Sequence, residues 1–177
     1  MTDTHPDLAA ETILAALERH GVLYVVVGGF AAQLHGAQRP TFDIDVTPAM
    51  TVENLDRLAA AFHDLGARIP TDAVEDGLPF RTDGHALLGS KMLNLVTPHG
   101  ELDPTFSPAG TEGYDDSIGT AELREVGAVH VHLAALAAVI RSKTAAGREK
   151  DFRALPELHR LAATRARTTE SDPDRPA

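Results

Sequence analysis

The sequence predicts an α+β fold, a mixed β-sheet flanked by helices with a small C-terminal helical segment. Three observations predict it. Short β-branched or apolar runs, such as VLYVVV at 22–27 and MLNLVT at 92–97, interleave with segments whose apolar residues recur at helical spacing. The helices concentrate toward the C-terminal end, and no internal repeat is visible. A chain of 177 residues, 43% hydrophobic and 24% charged, is long enough for one domain with a proper core and a small appended lobe.

Taken in order, Thr4–His20 is helical, with Leu8, Ile13, Leu14, Ala16 and Leu17 near helical spacing and Gly21 as the stop. Val22–Val27 reads as a strand buried on both faces. Phe30–His35 makes one or two helical turns before Gly36, and Phe42–Val46 is a second strand. Thr51–Gly66 is the clearest helix. Thr51 caps it, Glu53 complements the dipole, and Val52, Leu55, Leu58, Ala59, Phe62 and Leu65 form its stripe. Met92–Thr97 and Glu101–Phe106 form a hairpin around Pro98-His99-Gly100, and Pro104 assigns the second arm to an edge or a bulge. Ser107–Ser117 is a loop and Val126–His132 a short strand. Leu133–Ala146 is a helix, and Asp151–Ala163 another, kinked or restarted at Pro156. Residues 1–125 are expected to form the core and 126–165 a strand and helices packed on it. Residues 166–177 are expected to be a disordered tail.

Composition narrows the function classes. With no cysteine, neither a disulfide framework nor a thiolate metal site is available, which fits a reducing cytoplasm. The start MTDTHPDLAAET is acidic and lacks an apolar core, so no signal peptide is expected. No apolar run approaches the ~20 residues that span a bilayer. A net charge of −10 disfavours a generic nucleic-acid-binding surface. The charge is uneven, however: Val139–Arg167 holds eight Lys/Arg against three Asp/Glu, or +5, leaving −15 elsewhere. Such a segment suits an anionic ligand held between two regions, or is simply a solvated helix face.

The stretch VVVGGFAAQLHGAQRPTFDIDV (25–46) carries the chemistry. Side chains alternate along a strand, so Asp43 and Asp45 share a face with Cα atoms about 6.6 Å apart, twice the strand rise. Two carboxylates at that spacing repel unless a cation lies between them, and hard oxygen ligands suit Mg²⁺. Two solvated acids on an edge strand would read the same way. Gly28 and Gly29 end the buried strand ahead of a short helix, a junction that offers backbone N–H groups to phosphate. There is no G-x-G-x-x-G, and GHALLGSK (84–91) is not a phosphate loop, because Ser and Lys are in the wrong order.

Together these elements resemble the signature of the DNA polymerase β-like nucleotidyltransferase superfamily: a strand ending in Gly-Gly, a short helix, then D-x-D on the next strand. Thirteen residues, Phe30 to Phe42, separate Gly29 from Asp43, within the range of such enzymes. The run Arg39, Thr41, Asp43, Asp45 is similar to the R-x-T-x-D-h-D of AbiEii-type and minimal nucleotidyltransferases of bacterial toxin–antitoxin systems. Lys143, Arg148, Lys150 and Asp151 match the K…R-x-K-D of the helices that follow. The resemblance covers most of Val22–Leu161 and implies a nucleotidyltransferase-fold mixed β-sheet. It also implies Asp103 as a third catalytic, metal-binding carboxylate beside Asp43 and Asp45, with two Mg²⁺ ions held among them. Gly28, Gly29, Arg39, Thr41, Lys143, Arg148, Lys150 and Asp151 would then serve the nucleotide, expected to be ATP. Asp151 would orient Lys143 or Arg148, or act on the acceptor. The acceptor hydroxyl would belong to an RNA 3′ end such as that of tRNA, to a partner toxin or antitoxin protein, or to a small molecule.

Asp43-Ile-Asp-Val-Thr47 also fits D-x-D-x-T, the first motif of haloacid-dehalogenase-like phosphatases, with Gly113–Ser117 (GYDDS) as their late acidic motif. The flanks argue against it, since that nucleophile ends a buried apolar strand and Arg39–Phe42 supplies none. A non-catalytic nucleotide- or partner-binding domain of the same fold is the remaining alternative. His130 and His132 share a strand face without an evident third metal ligand, and His35 reads as a helix-end residue.

Overall fold

The computed structural model describes residues 8–170, with side chains through Thr168. In chain order the elements are α1 (Ala10–Arg19), β1 (Tyr24–Val27), α2 (Gly28–Leu34), β2 (Asp43–Pro48), α3 (Val52–Asp64), β3 (Arg68–Thr71) and β4 (Val74–Pro79). They continue as α4 (Gly84–Leu87), β5 (Leu95–Thr97), β6 (Gly100–Pro104), α5 (Tyr114–Ile118), β7 (Glu122–Val126), β8 (Val129–Leu133), α6 (Leu136–Ala146) and α7 (Glu149–Glu170). The strands form one eight-stranded mixed sheet in the order β4-β3-β5-β6-β2-β1-β8-β7. β2 lies near its middle, antiparallel to β1 and parallel to β6.

Burial explains the centre of the sheet. Val25, Val26, Ile44, Val46 and Leu102 are fully buried, as expected of strands covered on both faces. α1 adds Ile13, Leu14 and Leu17, and α3 adds Leu55, Leu58 and Phe62, all with no exposed area. α3 begins as its sequence specifies, the Thr51 side chain accepting from Asn54 N–H at 3.3 Å. Asn54, itself buried, ties two strands together. Its side chain accepts from Leu23 N–H (2.7 Å) and donates to Leu23 and Ala49 carbonyls (both 2.9 Å). α1 is tied to the β7–β8 turn, where Glu11 accepts from Ala128 N–H at 2.8 Å.

Several expectations change. The first helix begins at Ala10, and residues 1–7 of the expected segment lie outside the described residues. Residues 71–84, expected to be a loop, hold most of the hairpin β3–β4, which spans 68–79. The strand expected at 126–132 is β8, paired with an unanticipated β7. α7 runs unbroken through Pro156, which is solvent-exposed, and continues to Glu170, where a loose tail was expected from residue 166. Residues 171–177 lie outside the described residues.

Pro104 requires a correction of its own. β6 is interior, flanked by β5 and β2, so Pro104 marks neither an edge nor a bulge. It is the last residue of its strand, where the ladder loses a single donor. Its carbonyl still accepts from Leu93 N–H (2.9 Å), and Thr105 N–H donates to Val46 (2.8 Å).

Candidate active site

β1, β2 and β6 are adjacent, and their register assembles the site. Asp45 pairs with Val27 of β1 on one side and Asp103 of β6 on the other, while Asp43 pairs with Glu101. Neighbouring residues in register share a face, so Asp43, Asp45, Asp103 and Glu101 project from the same side of the sheet. Oxygens of Asp43, Asp45 and Asp103 all lie within 4.8 Å of one another. The third acid is therefore in place. The proline after it confines Asp103 to an extended backbone and does not disturb it.

The glycines make room for these acids. A Cβ on Gly28 would lie 1.9 Å from Asp45 Oδ2, and Gly28 has a φ of 66°, where side chains are strained. A Cβ on Gly29 would lie 2.7 Å from Thr41 Oγ1. Gly29 N–H donates to Asp45 Oδ2 at 3.2 Å, and the Thr41 hydroxyl donates to Asp43 Oδ1. The Gly-Gly pair and the aspartates are thus one interlocked unit.

Electrostatics fit a missing counter-charge. Burial pushes the Asp45 carboxyl up to about 6, and the charge of Asp43 adds to the rise. Burial and the charge of Asp45 push Asp103 up to about 7, opposed by a hydrogen bond from Asn94 Nδ2 at 2.7 Å. Asp103 Oδ1 is buried with no partner among the described residues. Three repelling carboxylates and an orphaned buried oxygen form an all-oxygen donor set, which fits a hard divalent cation such as Mg²⁺.

These acids line a cavity of about 610 Å³ with Gly28, Gly29, Arg39 and Thr41. Lys143 of α6, Arg148 of the α6–α7 corner and Lys150 of α7 line it as well. Asp151 does not line it. It is fully buried behind the corner, pairing with Lys143 Nζ (3.3 Å) and Arg148 Nε (2.7 Å). Burial alone would raise its carboxyl, but the Arg148 hydrogen bond and the Lys143 charge hold it below the usual carboxylate range. The same hydrogen bond raises Arg148 above its ordinary value, and the charges of Asp45 and Asp43 add to this. Of the two roles open to Asp151, orienting the cations fits this burial and contact with the acceptor does not.

Among the lining residues that sequence reasoning missed are Lys91, Asn94 and Glu101. The hairpin register was the available signal, because a two-residue turn at Pro98-His99 sets Asn94 opposite Asp103. The phosphatase pattern finds no support. Asp43 opens its strand instead of ending one, Thr47 is fully buried, and Asp116 of GYDDS pairs with Arg141 at 2.6 Å. His130 is exposed against Glu125 (3.1 Å), and His132 is exposed. His35 is buried and bonds the Ala134 carbonyl at 2.7 Å.

The chain has the nucleotidyltransferase fold. Among solved structures it is similar to the lincosamide antibiotic adenylyltransferase LnuA in its lincomycin-bound form (15% identity, 88% of this chain and 99% of that one, TM-score 0.58). It is also similar to a Thermotoga maritima protein described as a nucleotidyltransferase candidate (14%, 89% and 97%, 0.52). A third likeness is to ANT(2″)-Ia in complex with adenylyl-2″-tobramycin (18%, 89% and 95%, 0.50). At these identities the likeness is one of fold. No family model matches the sequence, and no curated protein matches it. No helix among the described residues is long and apolar enough to cross a membrane.

Proposed function

We propose that the protein is an enzyme that transfers a nucleoside monophosphate from a nucleoside triphosphate to an acceptor hydroxyl. One observation carries this reading: the three carboxylates converging within 4.8 Å share one cavity with Lys143, Arg148 and Lys150. Asp43, Asp45 and Asp103 would hold Mg²⁺, as one ion or two. Bound there, the metal supplies Lewis-acid stabilisation of phosphoryl charge and acidifies a coordinated hydroxyl. Lys143 and Arg148, fixed by Asp151, present positive charge to the triphosphate before it binds, so little reorganisation accompanies charge transfer to the leaving pyrophosphate. Arg39 and Lys150 add charge from the exposed rim. Gly28 and Gly29 admit the phosphates close to the backbone.

The arrangement favours catalysis over a scaffold role. Asp45 and Asp103, whose proton affinity burial and neighbouring charge raise, cost stability, and a purely structural domain gains nothing from them. For the acceptor, the relatives of like fold bound to lincomycin and to adenylyl-2″-tobramycin favour a small hydroxylated molecule, within a cavity of ordinary ligand size. An RNA 3′ end or a toxin–antitoxin partner would have to reach the same carboxylates on a chain whose net charge is −10, which disfavours a large RNA. ATP is the expected donor.

The test is incubation with labelled nucleoside triphosphates and Mg²⁺ against small hydroxylated acceptors and a cell lysate. Label should move to an acceptor with the unaltered protein and not with Asp43→Ala or Asp45→Ala. Equal transfer by a well-folded double variant would refute the proposal.

A further inference from the structure

Each of the three carboxylates accepts a hydrogen bond from a neighbour that carries no charge. Gly29 N–H serves Asp45 (3.2 Å), the Thr41 hydroxyl serves Asp43, and the Asn94 amide serves Asp103 (2.7 Å). The donors come from three different segments: the start of α2, the loop before β2, and the residue before β5. A carboxylate free to rotate can turn either oxygen toward a cation; one held by a donor offers a fixed oxygen.

We propose that Asn94 is a positioning residue of the cation site, dedicated to Asp103, with Thr41 playing the same part for Asp43. This rests on the metal-binding reading of the three acids and assigns the residues that tune it.

The surroundings of Asn94 suit that task. Leu93 N–H is bonded to the Pro104 carbonyl at 2.9 Å, and Leu95 pairs with Leu102, so Asn94 is pinned on both sides opposite Asp103. Met92 bridges to Thr105, which extends the clamp by one further residue pair. Across from it, the residue preceding Pro104 is confined to extended backbone, leaving the Asp103 side chain as the part free to turn. The amide takes Oδ2, and Oδ1 is the atom left buried without a partner. Asn94 thereby selects Oδ1 as the oxygen for the cation. A carboxamide suits this role because it donates without adding a charge of its own, whereas a Lys or Arg would compete with the cation for the carboxylate. Thr41 is placed with comparable care, since the missing side chain of Gly29 is what makes space for its hydroxyl.

The experiment uses the full chain with Mn²⁺ alone as the probe, free ion being read by electron paramagnetic resonance. Asn94→Ala and Asn94→Leu, the second keeping the bulk without the donor, should each weaken Mn²⁺ binding about 10- to 100-fold. Thr41→Val should do the same and Thr41→Ser, which keeps the hydroxyl, should not. Far-UV circular dichroism and melting temperature should stay close to those of the unaltered chain, a result that a merely structural role for Asn94 does not give. Mn²⁺ affinity in both Asn94 variants within about twofold of the unaltered chain would overturn the proposal, being far short of the expected effect. If Asp45→Asn abolishes Mn²⁺ binding in that same experiment, the cation site itself stands. Absence of Mn²⁺ binding by the unaltered protein would overturn both readings together.

Discussion

Replacing Asp45 by Asn should make the metal-free protein more stable while removing its response to Mg²⁺. The side chain is near-isosteric and its carbonyl can still accept from Gly29 N–H. Only the charge is lost. In the native state the carboxyl is raised from 3.8 to about 6, which corresponds to about 3 kcal/mol of cost for carrying the charge. The sign follows from proton counting. At pH well below 3.8, native and unfolded states are both largely protonated, and the cost is absent. Between that point and the native values of about 6 for Asp45 and about 7 for Asp103, the native state holds protons that the unfolded chain has released. Native stability therefore falls as pH rises through this window, and the full cost is present above it. At about pH 8 Asp45→Asn should recover up to about 3 kcal/mol, or about 6–12 °C in melting temperature for a chain of this size. At about pH 4 the gain should shrink toward zero. Thermal denaturation followed by circular dichroism, at both pH values and with or without millimolar Mg²⁺, measures all of this. The unaltered protein should gain stability from Mg²⁺ and the variant should not. A variant no more stable than the unaltered chain at the higher pH would refute the reasoning, because burial and the neighbouring charge of Asp43 would then not be penalising the Asp45 carboxylate.

Gly28→Ala should lower stability by about 1–2 kcal/mol from the left-handed backbone alone, about 2–8 °C in melting temperature. Because the new Cβ meets Asp45 Oδ2, it should also blunt the Mg²⁺-dependent rise in melting temperature. Asp151→Ala leaves the Lys143 ammonium, on a side chain only 14% exposed, without its partner. It should cost about 3 kcal/mol in urea denaturation, the lower end for a broken buried pair since Arg148 can turn to water. Calorimetric titration with ATP and Mg²⁺ should show weakened binding in that variant, while Asp45→Asn should lose the Mg²⁺ dependence of binding.

The centre of the fold was legible because its strands and helices carry strong patterns. Val22–Val27 has the β-branched content of a doubly covered strand, and Thr51 with the α3 stripe marks a helix from cap to Leu65. The flanks were less legible for a physical reason. β3 and β4 lie at one border of the sheet and are mostly exposed, so their sequence is free to include Pro70, Asp76 and Gly77. Gly77 is required there, since a Cβ would meet the Ile69 carbonyl oxygen at 2.5 Å. β7, at the opposite border, is built from Glu122-Leu-Arg-Glu-Val126, whose residues read equally well as a helix. Pro156 suggested a kink or a restart; the helix does not restart, and the residue sits on the exposed face of α7, where solvent can reach the carbonyl left without its N–H partner.

At the site, the convergence of the three acids was legible but the contacts among their neighbours were not. The spacing of Gly28-Gly29 and Asp43-Ile-Asp45 pointed to a shared chemistry, and Asp103 was implied by the family resemblance those residues carry. What pattern alone could not give is which groups face the ligand and which stand behind. The glycines, expected to serve phosphate, are in this structure occupied with the aspartates, one clearing space for Asp45 and the other for Thr41. Thr41, expected to serve the nucleotide, is bonded to Asp43, and Asp151, expected to orient Lys143 or Arg148 or to act on the acceptor, is buried against those two cations. In each case what the structure shows is a contact with another residue of the cluster, and the proposed contacts with phosphate and nucleotide come in addition to it. Such contacts depend on the register between strands that are distant in sequence, and register is what a linear motif does not encode.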